Sequence, residues 1–280
     1  MELIEVTKKE NDTYIGSNFI GPERGFPVYG GQTTAQALVA ASKDVSPNYS
    51  LQSIYSHFHR PAFTGVEMIY KVENTRIGKS TINKRVIGYQ NDKVILIVDV
   101  IFIAPNKSLE FQCKESKLYA KEYHSLEEYR EKNMNQSEIK FIPPELLEGF
   151  SYLLKFAKYF DISIAEPKEN FYRRELKIVL KESYSNKTGV LVFLSDLFLM
   201  EAPLLIFKEH LKKGYLSFIT TSHHNVYFHV NANENETTFY YLVNCIRLVN
   251  GLALCEGYLF DSNKRHIFTA IQEIVVKQED

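Results

Sequence analysis

The sequence predicts an α+β protein built from two similar halves, each with a helix followed by an antiparallel meander of strands. In both halves, an apolar stretch at helical spacing is followed by several runs rich in Val, Ile and aromatic residues. The two halves also match at a constant offset of 171 residues, which pairs Val72 with Val243 and Lys93 with Lys264. A constant offset over this length indicates two copies of one supersecondary unit.

The first predicted helix follows two adjacent glycines. In Val28–Ser42, VYGGQTTAQALVAAS, Gly30 and Gly31 permit a tight turn, and the alanine-rich run after them favours a helix that fades by about Asp44. This pattern fits a buried helix with a tight entry turn. It also fits a helix whose free N–H groups face an oxygen atom of a ligand.

Strands follow this helix in the first half. Val- and Ile-rich runs end at proline or glycine, as strands commonly do. A loop is expected at Gly21–Pro27. Strands are predicted at Thr13–Asn18, at Leu51–Arg60, at Val66–Gln90 with a break at Gly78-Lys79, and at Lys93–Ile103.

The middle of the chain differs in composition. Lys114–Lys140 carries dense mixed charge, which is typical of a solvated surface, and Leu146–Phe160 is expected to form a short helix. We therefore predict an N-terminal domain at 1–112, a charged linker at 113–170 and a C-terminal domain at 171–280.

The second half repeats the order of the first. A helical apolar stretch is predicted at Val190–Leu211, interrupted by Pro203. Strands are predicted at Phe171–Leu180, Leu216–Val230, Thr237–Val249, Leu252–Phe260 and His266–Val276.

The composition and charge of the chain limit which cellular compartment and which classes of partner we expect. Hydrophobic residues make up 45% and charged residues 24%, and the net charge of −1 gives no attraction to nucleic acid. We expect neither a signal peptide nor insertion into a membrane, because no apolar run has the required length. The three cysteines have neither metal-site nor disulfide-framework spacing, so we expect a cytoplasmic protein.

Six segments spread over nearly the whole chain follow a recognisable pattern. They are VYGGQTTAQAL from Val28, SIYSHFHRP from Ser53, IYKVENTRIGKSTINKRVIGYQNDKVI from Ile69, FLSDLFLM from Phe193, TTSHHNVYFH from Thr220 and AIQEIVV from Ala270. These segments resemble the motifs of the type II acyl-CoA thioesterases, a double-hotdog family. In that fold, two tandem units each wrap a curved antiparallel sheet around a central helix.

The resemblance implies a catalytic function and three catalytic residues. It places Asp196, Thr221 and Gln272 at the family positions that hold and activate the water attacking the thioester carbonyl. All three lie in the second copy, and the repeat partner of Gln272 is Ile101, so one active site per chain is implied. The first domain would then supply the facing wall of the site. No metal or organic cofactor is implied, because side chains activate the water.

The residue types suit this chemistry. An ionised carboxylate can orient or deprotonate water, and we expect Asp196 to lie near a helix start that favours its charged form. Hydroxyl and amide groups such as those of Thr221 and Gln272 can fix a water molecule or a carbonyl oxygen. We assign Gly30, Gly31 and Gln32 to substrate binding, with the glycine turn as the candidate donor to the oxyanion. Taken singly, the three catalytic candidates could equally be an N-cap and two ordinary strand residues.

The sequence departs from the family pattern at several positions. Family histidines are replaced by Gln52 and Tyr55, a glycine by Ala62 and an aspartate by His223. These changes bear on acyl-chain preference and rate. His223 and His224 are adjacent on a predicted strand and should point to opposite faces, so they do not predict a metal site.

The leading hypothesis is an acyl-CoA thioesterase that releases a fatty acid and CoA. The alternative is a non-catalytic double-hotdog protein that binds acyl-CoA or lipid. Hydration of an enoyl-CoA ranks third, because no D-x-x-x-x-H pattern follows Asp196. Apolar residues on both alternations of the long strands, such as Ile69 with Tyr70, predict an edge-to-edge or side-by-side pairing of the two units and a homo-oligomer, either a dimer or higher.

Overall fold

The computed structural model describes residues 1–20, 27–106, 109–112, 122–125, 127–128, 151–165, 173–210 and 215–279. The predicted loop at 21–27 and the charge run at 114–140 lie largely outside the described residues. The division into 1–112, 113–170 and 171–280 stays a prediction.

The first half contains one helix and six strands, and most of their bounds agree with the predictions. The additional strand is the first one, which the sequence analysis did not anticipate. The elements are β1 at Val6–Glu10, β2 at Thr13–Gly16, α1 at Gly30–Ser42, β3 at Ser50–Phe58, β4 at Met68–Ile77, β5 at Thr81–Gln90 and β6 at Lys93–Ile103.

The second half contains two helices and seven strands within the described residues. Here too the predicted strands are confirmed to within a few residues. The elements are β7 at Tyr123–Ser125, β8 at Phe160–Ala165, β9 at Arg173–Leu180, α2 at Lys187–Ser195, α3 at Glu201–His210, β10 at Tyr215–Phe228, β11 at Thr238–Val249, β12 at Leu252–Asp261 and β13 at His266–Glu279.

Two predictions about the second half need correction. The apolar helical stretch breaks after Ser195 rather than at Pro203, which lies in the first turn of α3, where proline is tolerated. In place of the expected helix at Leu146–Phe160, a 3-10 helix spans Ser151–Lys158 and Phe160 already belongs to β8. The segment predicted as a linker includes β7 and β8, and β8 pairs with β9.

The thirteen strands of the described segments form one antiparallel sheet in the order β1-β2-β4-β5-β6-β3-β10-β13-β12-β11-β9-β8-β7. The strand order is mirrored about the junction of β3 and β10, where Ile54 lies opposite Val226. The predicted edge-to-edge pairing of the two units is therefore confirmed. The offset of 171 also relates β5 to β12 at both ends.

Helix α1 is buried almost all round, which explains its small side chains. Residues 31–41 are all buried, and the helix contacts β4, β5, β6 and also α2 of the other half. Alanines at 35, 37, 40 and 41 allow this close approach from several sides. The contact between α1 and α2 brings the start of one helix to the end of the other, and the candidate site lies there.

Two further features concern the environment of the chain. Within the described segments, no helix is long and apolar enough to cross a lipid bilayer. Cys245 and Cys255 lie opposite each other on β11 and β12 and are both free and buried.

Candidate active site

Asp196 lies between the two halves of the chain. It directly follows α2, and its Oδ2 accepts a hydrogen bond of 2.8 Å from the backbone N–H of Gly31, in the first turn of α1. The expected position of Asp196 near the start of a helix in its own segment is wrong, because α2 ends there. A helix start does face the carboxylate, but it belongs to α1, whose N-cap residue Tyr29 makes no side-chain cap.

Gln272 connects Asp196 to Thr221. On β13, the Nε2 of Gln272 donates a short hydrogen bond to Oδ1 of Asp196 and a second, of 2.9 Å, to Oγ1 of Thr221 on β10. The structure thus brings together all three residues to which the sequence resemblance assigned catalysis. They come from a helix end and from two neighbouring strands, 76 residues apart at most.

A β-bulge in β10 determines which way Thr221 points. In the register with β13, Thr221 lies opposite Ile274 and His223 opposite Glu273, which leaves Ser222 as the extra residue. Because side chains alternate along a strand, residues 221 and 224 would normally point to opposite faces. The bulge places Thr221 and His224 on the same face as Gln272, which is the face covered by the helices.

Burial dominates the electrostatics of Asp196. The residue is 8% exposed, and the loss of hydration raises the pKa of its carboxyl group to about 7. The hydrogen bonds from Gln272 and from Gly31 act in the opposite direction and favour the carboxylate. A carboxyl group in this range can take up and return a proton near neutral pH.

The hydrogen-bond inventory of the cluster leaves capacity for a water molecule. Both hydrogens of the Gln272 amide are used by Asp196 and Thr221, so the hydroxyl hydrogen of Thr221 can be donated elsewhere. Oδ1 of Asp196 accepts from Gln272 and Oδ2 accepts from the N–H of Gly31, and each oxygen can accept one more hydrogen bond. A water molecule beside this cluster could therefore donate to the carboxylate and accept from the hydroxyl group.

The three residues expected to bind substrate have different environments. A Cβ atom at Gly30 would lie 3.1 Å from Asp196 Oδ2 and 3.1 Å from Cζ of Phe58, so Gly30 borders the cluster directly. The N–H of Gly31 is occupied by Asp196. The side chain of Gln32 points elsewhere: it is fully buried, donates to the carbonyls of Leu3 and Asn18, and accepts from the N–H of Ile20.

Two departures from the family pattern, Tyr55 and His223, lie on the opposite, outer face of the sheet. His223 lies opposite His57 across the β3–β10 junction, with ring centroids 3.9 Å apart, and Tyr55 packs edge-on against Tyr227. His224, by contrast, is fully buried on the inner face. The predicted opposite orientation of the two adjacent histidines is confirmed.

Sequence reasoning missed two features of the site. It did not find the hydrogen bond between Ser195 and His224, although both flank assigned catalytic positions in the sequence. It also did not find the ring of Phe58 beside Gly30. Among the residues that the structure describes, no group of three or more His, Cys, Asp or Glu side chains could hold a metal ion.

Comparison with known protein families identifies similar proteins. A family model described as the acyl-CoA thioesterase N-terminal domain matches residues 22–103. The chain is 25% identical over 254 residues to acyl-coenzyme A thioesterase 8 of Rattus norvegicus, covering 85% of this chain and 76% of the relative. It is also 25% identical over 260 residues to acyl-CoA thioesterase 2 of Haemophilus influenzae, covering 89% and 87%.

Solved structures agree on the fold. An acyl-CoA thioesterase II, TesB2, from Mycobacterium marinum aligns over 100% of this chain and 97% of its own, with a TM-score of 0.74 and 18% identity. Two sheet-and-helix units joined edge to edge are therefore a double hotdog, as the sequence resemblance implied.

Proposed function

We propose that this chain, which is similar to acyl-CoA thioesterases, hydrolyses acyl-CoA to a fatty acid and CoA at Asp196, Thr221 and Gln272. The observation that carries this proposal is the hydrogen-bonded cluster of a buried carboxyl group, an amide and a hydroxyl group. These are the groups needed to hold a water molecule and remove its proton without a cofactor.

In the proposed reaction, Asp196 acts as the general base. Its carboxylate accepts a proton from water while the water oxygen forms a bond to the thioester carbonyl carbon. Thr221 donates its hydroxyl hydrogen to the water and so orients a lone pair towards the carbon. The C–S bond then breaks, and the proton held by Asp196 passes to the departing CoA sulfur.

The developing oxyanion needs an N–H donor. The first N–H groups of a helix have no partner within that helix, and Gly31 uses its own for Asp196. We therefore assign this role to Gly30, the residue next to it at the start of α1. A Cβ atom at this position would lie 3.1 Å from the Asp196 carboxylate and from the ring of Phe58, so a side chain there would crowd the proposed site.

A thiol-trapping assay on acyl-CoAs from short to long chain tests the proposal. We expect hydrolysis by the parent and a loss of roughly 10²-fold or more in kcat for Asp196→Asn, which removes the base, with little change in KM. Asp99→Asn is the matched control, because Asp99 lies on the outer face and pairs with Arg85. Saturable acyl-CoA binding without turnover by the parent would support the non-catalytic alternative instead.

The proposal includes association of the chain with itself, as a dimer or a higher homo-oligomer. Ile246, Leu252 and Leu254 are exposed apolar residues clustered around the β11–β12 hairpin. Contiguous apolar surface of this kind usually marks an interface. Light scattering over a dilution series should give a multiple of the monomer mass, and Leu254→Glu should reduce it. A monomer mass at every concentration would contradict this part of the proposal.

We also assign the protein to the cytoplasm. The spacing of the three cysteines, which suits neither a metal site nor a disulfide framework, supports this assignment. Fractionation of cells expressing a tagged chain would check this assignment.

A further inference from the structure

Ser195, the last residue of α2, is held by three hydrogen bonds. Its hydroxyl donates to the carbonyl of Val192 at 2.7 Å and is 2.8 Å from Nε2 of His224. Its own carbonyl accepts from the hydroxyl of Tyr241 at 2.5 Å. Because Asp196 comes next in the chain, these contacts fix the base relative to β10 and β11.

The hydrogen bond from Ser195 to Val192 determines which ring nitrogen of His224 carries a hydrogen. A serine hydroxyl has one hydrogen, and a backbone carbonyl can only accept, so the hydrogen of Ser195 points to Val192. His224 must then donate from Nε2, which leaves Nδ1 without a hydrogen. Burial lowers the pKa of His224 to about 3, so the ring is neutral at any working pH. Here His224 donates the hydrogen bond to Ser195, whereas a serine nucleophile donates its hydrogen bond to the histidine base.

Two buried acceptors are left beside each other. Nδ1 of His224 and Oε1 of Gln272 are both inaccessible to solvent and have no hydrogen-bond partner among the described residues. The two residues lie directly opposite each other in the β10–β13 register, so their side chains share one face. Two acceptors cannot satisfy each other. A group that donates two hydrogens and fits a buried polar site is a water molecule.

We propose that a buried water molecule donates hydrogen bonds to both His224 Nδ1 and Gln272 Oε1, and that His224 thereby acts as a positioning residue for the catalytic amide. This proposal rests on the proposed function of Gln272 but concerns a second water, separate from the attacking one. With Oε1 held by this water, Nε2 faces Asp196 and Thr221. If the amide turned over, Oε1 would face the carboxylate and Thr221 would lose its donor.

Two variants of His224 distinguish the roles of its two ring nitrogens. Gln places an amide where Nε2 lies, so His224→Gln keeps a donor to Ser195 but loses the acceptor at Nδ1. Asn places an amide where Nδ1 lies, so His224→Asn keeps an acceptor for the water. We expect kcat to fall by roughly tenfold or more in His224→Gln, with KM unchanged, because the amide loses its orientation. In His224→Asn, kcat should stay within roughly threefold of the parent and the melting temperature should fall.

His223→Gln, on the outer face, should leave kcat unchanged. A purely structural role for His224 predicts that kcat follows the melting temperature in both variants. Unchanged kcat in His224→Gln, or a greater loss in His224→Asn than in His224→Gln, would overturn the proposal.

Two measurements on the parent protein need neither variants nor activity. A high-resolution crystal structure should show a water within about 3.2 Å of both acceptors. The ¹⁵N and ¹³C shifts of labelled His224 should identify the Nε2–H tautomer. The Nδ1–H tautomer, or a site without water, would overturn the inference even if the enzyme is active. An inactive parent with the water and tautomer in place would instead contradict only the proposed function.

Discussion

The carboxylate of Asp196 accepts a hydrogen bond of 2.8 Å from the backbone N–H of Gly31, although 165 residues separate the two in the chain. The start of α1, in the first half, is therefore capped by a residue that follows α2 in the second half. One contact both stabilises a helix and holds the candidate base. The proposed site consequently forms only when the two halves dock.

The rate of hydrolysis should depend on pH through the carboxyl group of Asp196. Its pKa is raised to about 7 by burial, and the base must be ionised to accept a proton. We expect kcat to rise roughly tenfold per pH unit below about 7 and to level off above it. Measurement with saturating acyl-CoA between pH 5 and pH 9 checks this, and a flat profile over that range would contradict the assignment.

Removal of the buried Asp196 carboxylate should make Asp196→Asn more stable than the parent at alkaline pH. The folded protein binds the Asp196 proton more tightly than the unfolded chain, where the pKa is near 3.8. Below about pH 4, Asp196 is protonated in both states and its ionisation does not change the free energy of unfolding. As the pH rises towards 7, ionisation of Asp196 in the unfolded chain lowers the free energy of unfolding. We expect a gain on the order of 3–4 kcal/mol for Asp196→Asn at pH 8, because the pKa rises from 3.8 to about 7, and little gain near pH 4. Urea unfolding at both pH values measures it, with Asp99→Asn as the variant that should show no such gain.

Substitution of the two adjacent glycines should affect different properties. In Gly31→Ala, the Cβ atom would lie 2.5 Å from the carbonyl of Phe193, so α1 and α2 must separate. We expect a loss of stability of about 1–3 kcal/mol. In Gly30→Ala, the contacts of 3.1 Å to Asp196 and Phe58 allow a small shift, so kcat should fall with little change in stability. Thermal unfolding and steady-state kinetics on both variants test this, and full activity in Gly30→Ala would remove Gly30 from the site.

The hydroxyl group of Thr221 should matter more than its methyl group. Thr221→Val keeps the shape and β-branching but cannot accept from Gln272 or orient water. We expect kcat to fall by roughly 10²-fold in Thr221→Val, and Thr221→Ser to stay within roughly threefold of the parent. Equal activity of the two variants in the thiol-release assay would show that the hydroxyl has no role.

Gln32 should contribute to stability and not to substrate binding. Its amide satisfies the backbone groups of Leu3, Asn18 and Ile20 in the N-terminal segment. Gln32→Leu removes the donor to the Asn18 carbonyl and the acceptor for the Ile20 N–H, whereas the Leu3 carbonyl keeps its hydrogen bond from Gln36, so we expect a loss of about 1 kcal/mol. KM for acyl-CoA should not change in the folded fraction. A raised KM at unchanged stability would restore the original assignment of Gln32 to the substrate.

The local pattern of the sequence was sufficient for most elements. The spacing of apolar residues identified α1 and the strands of both meanders, because helix and strand periodicities depend on neighbouring residues. The constant offset of 171 residues indicated two copies, and of the two pairings expected for them, edge to edge or side by side, the structure shows the first. The resemblance to a family selected Asp196, Thr221 and Gln272, which the structure brings together.

Other features were decided only by the tertiary structure. Nothing in the residues around Asp196 indicates that the helix start facing it is that of α1, because that contact depends on how the halves dock. The bulge at Ser222 turns Thr221 towards Gln272, and it is defined only by the register with β13. The placement of β8 beside β9, and the bond between Ser195 and His224, likewise depend on partners from distant parts of the chain. The sequence by itself determined the elements and the catalytic candidates, whereas packing determined which of their polar groups meet, since hydrogen bonds form only between groups that the fold brings within reach.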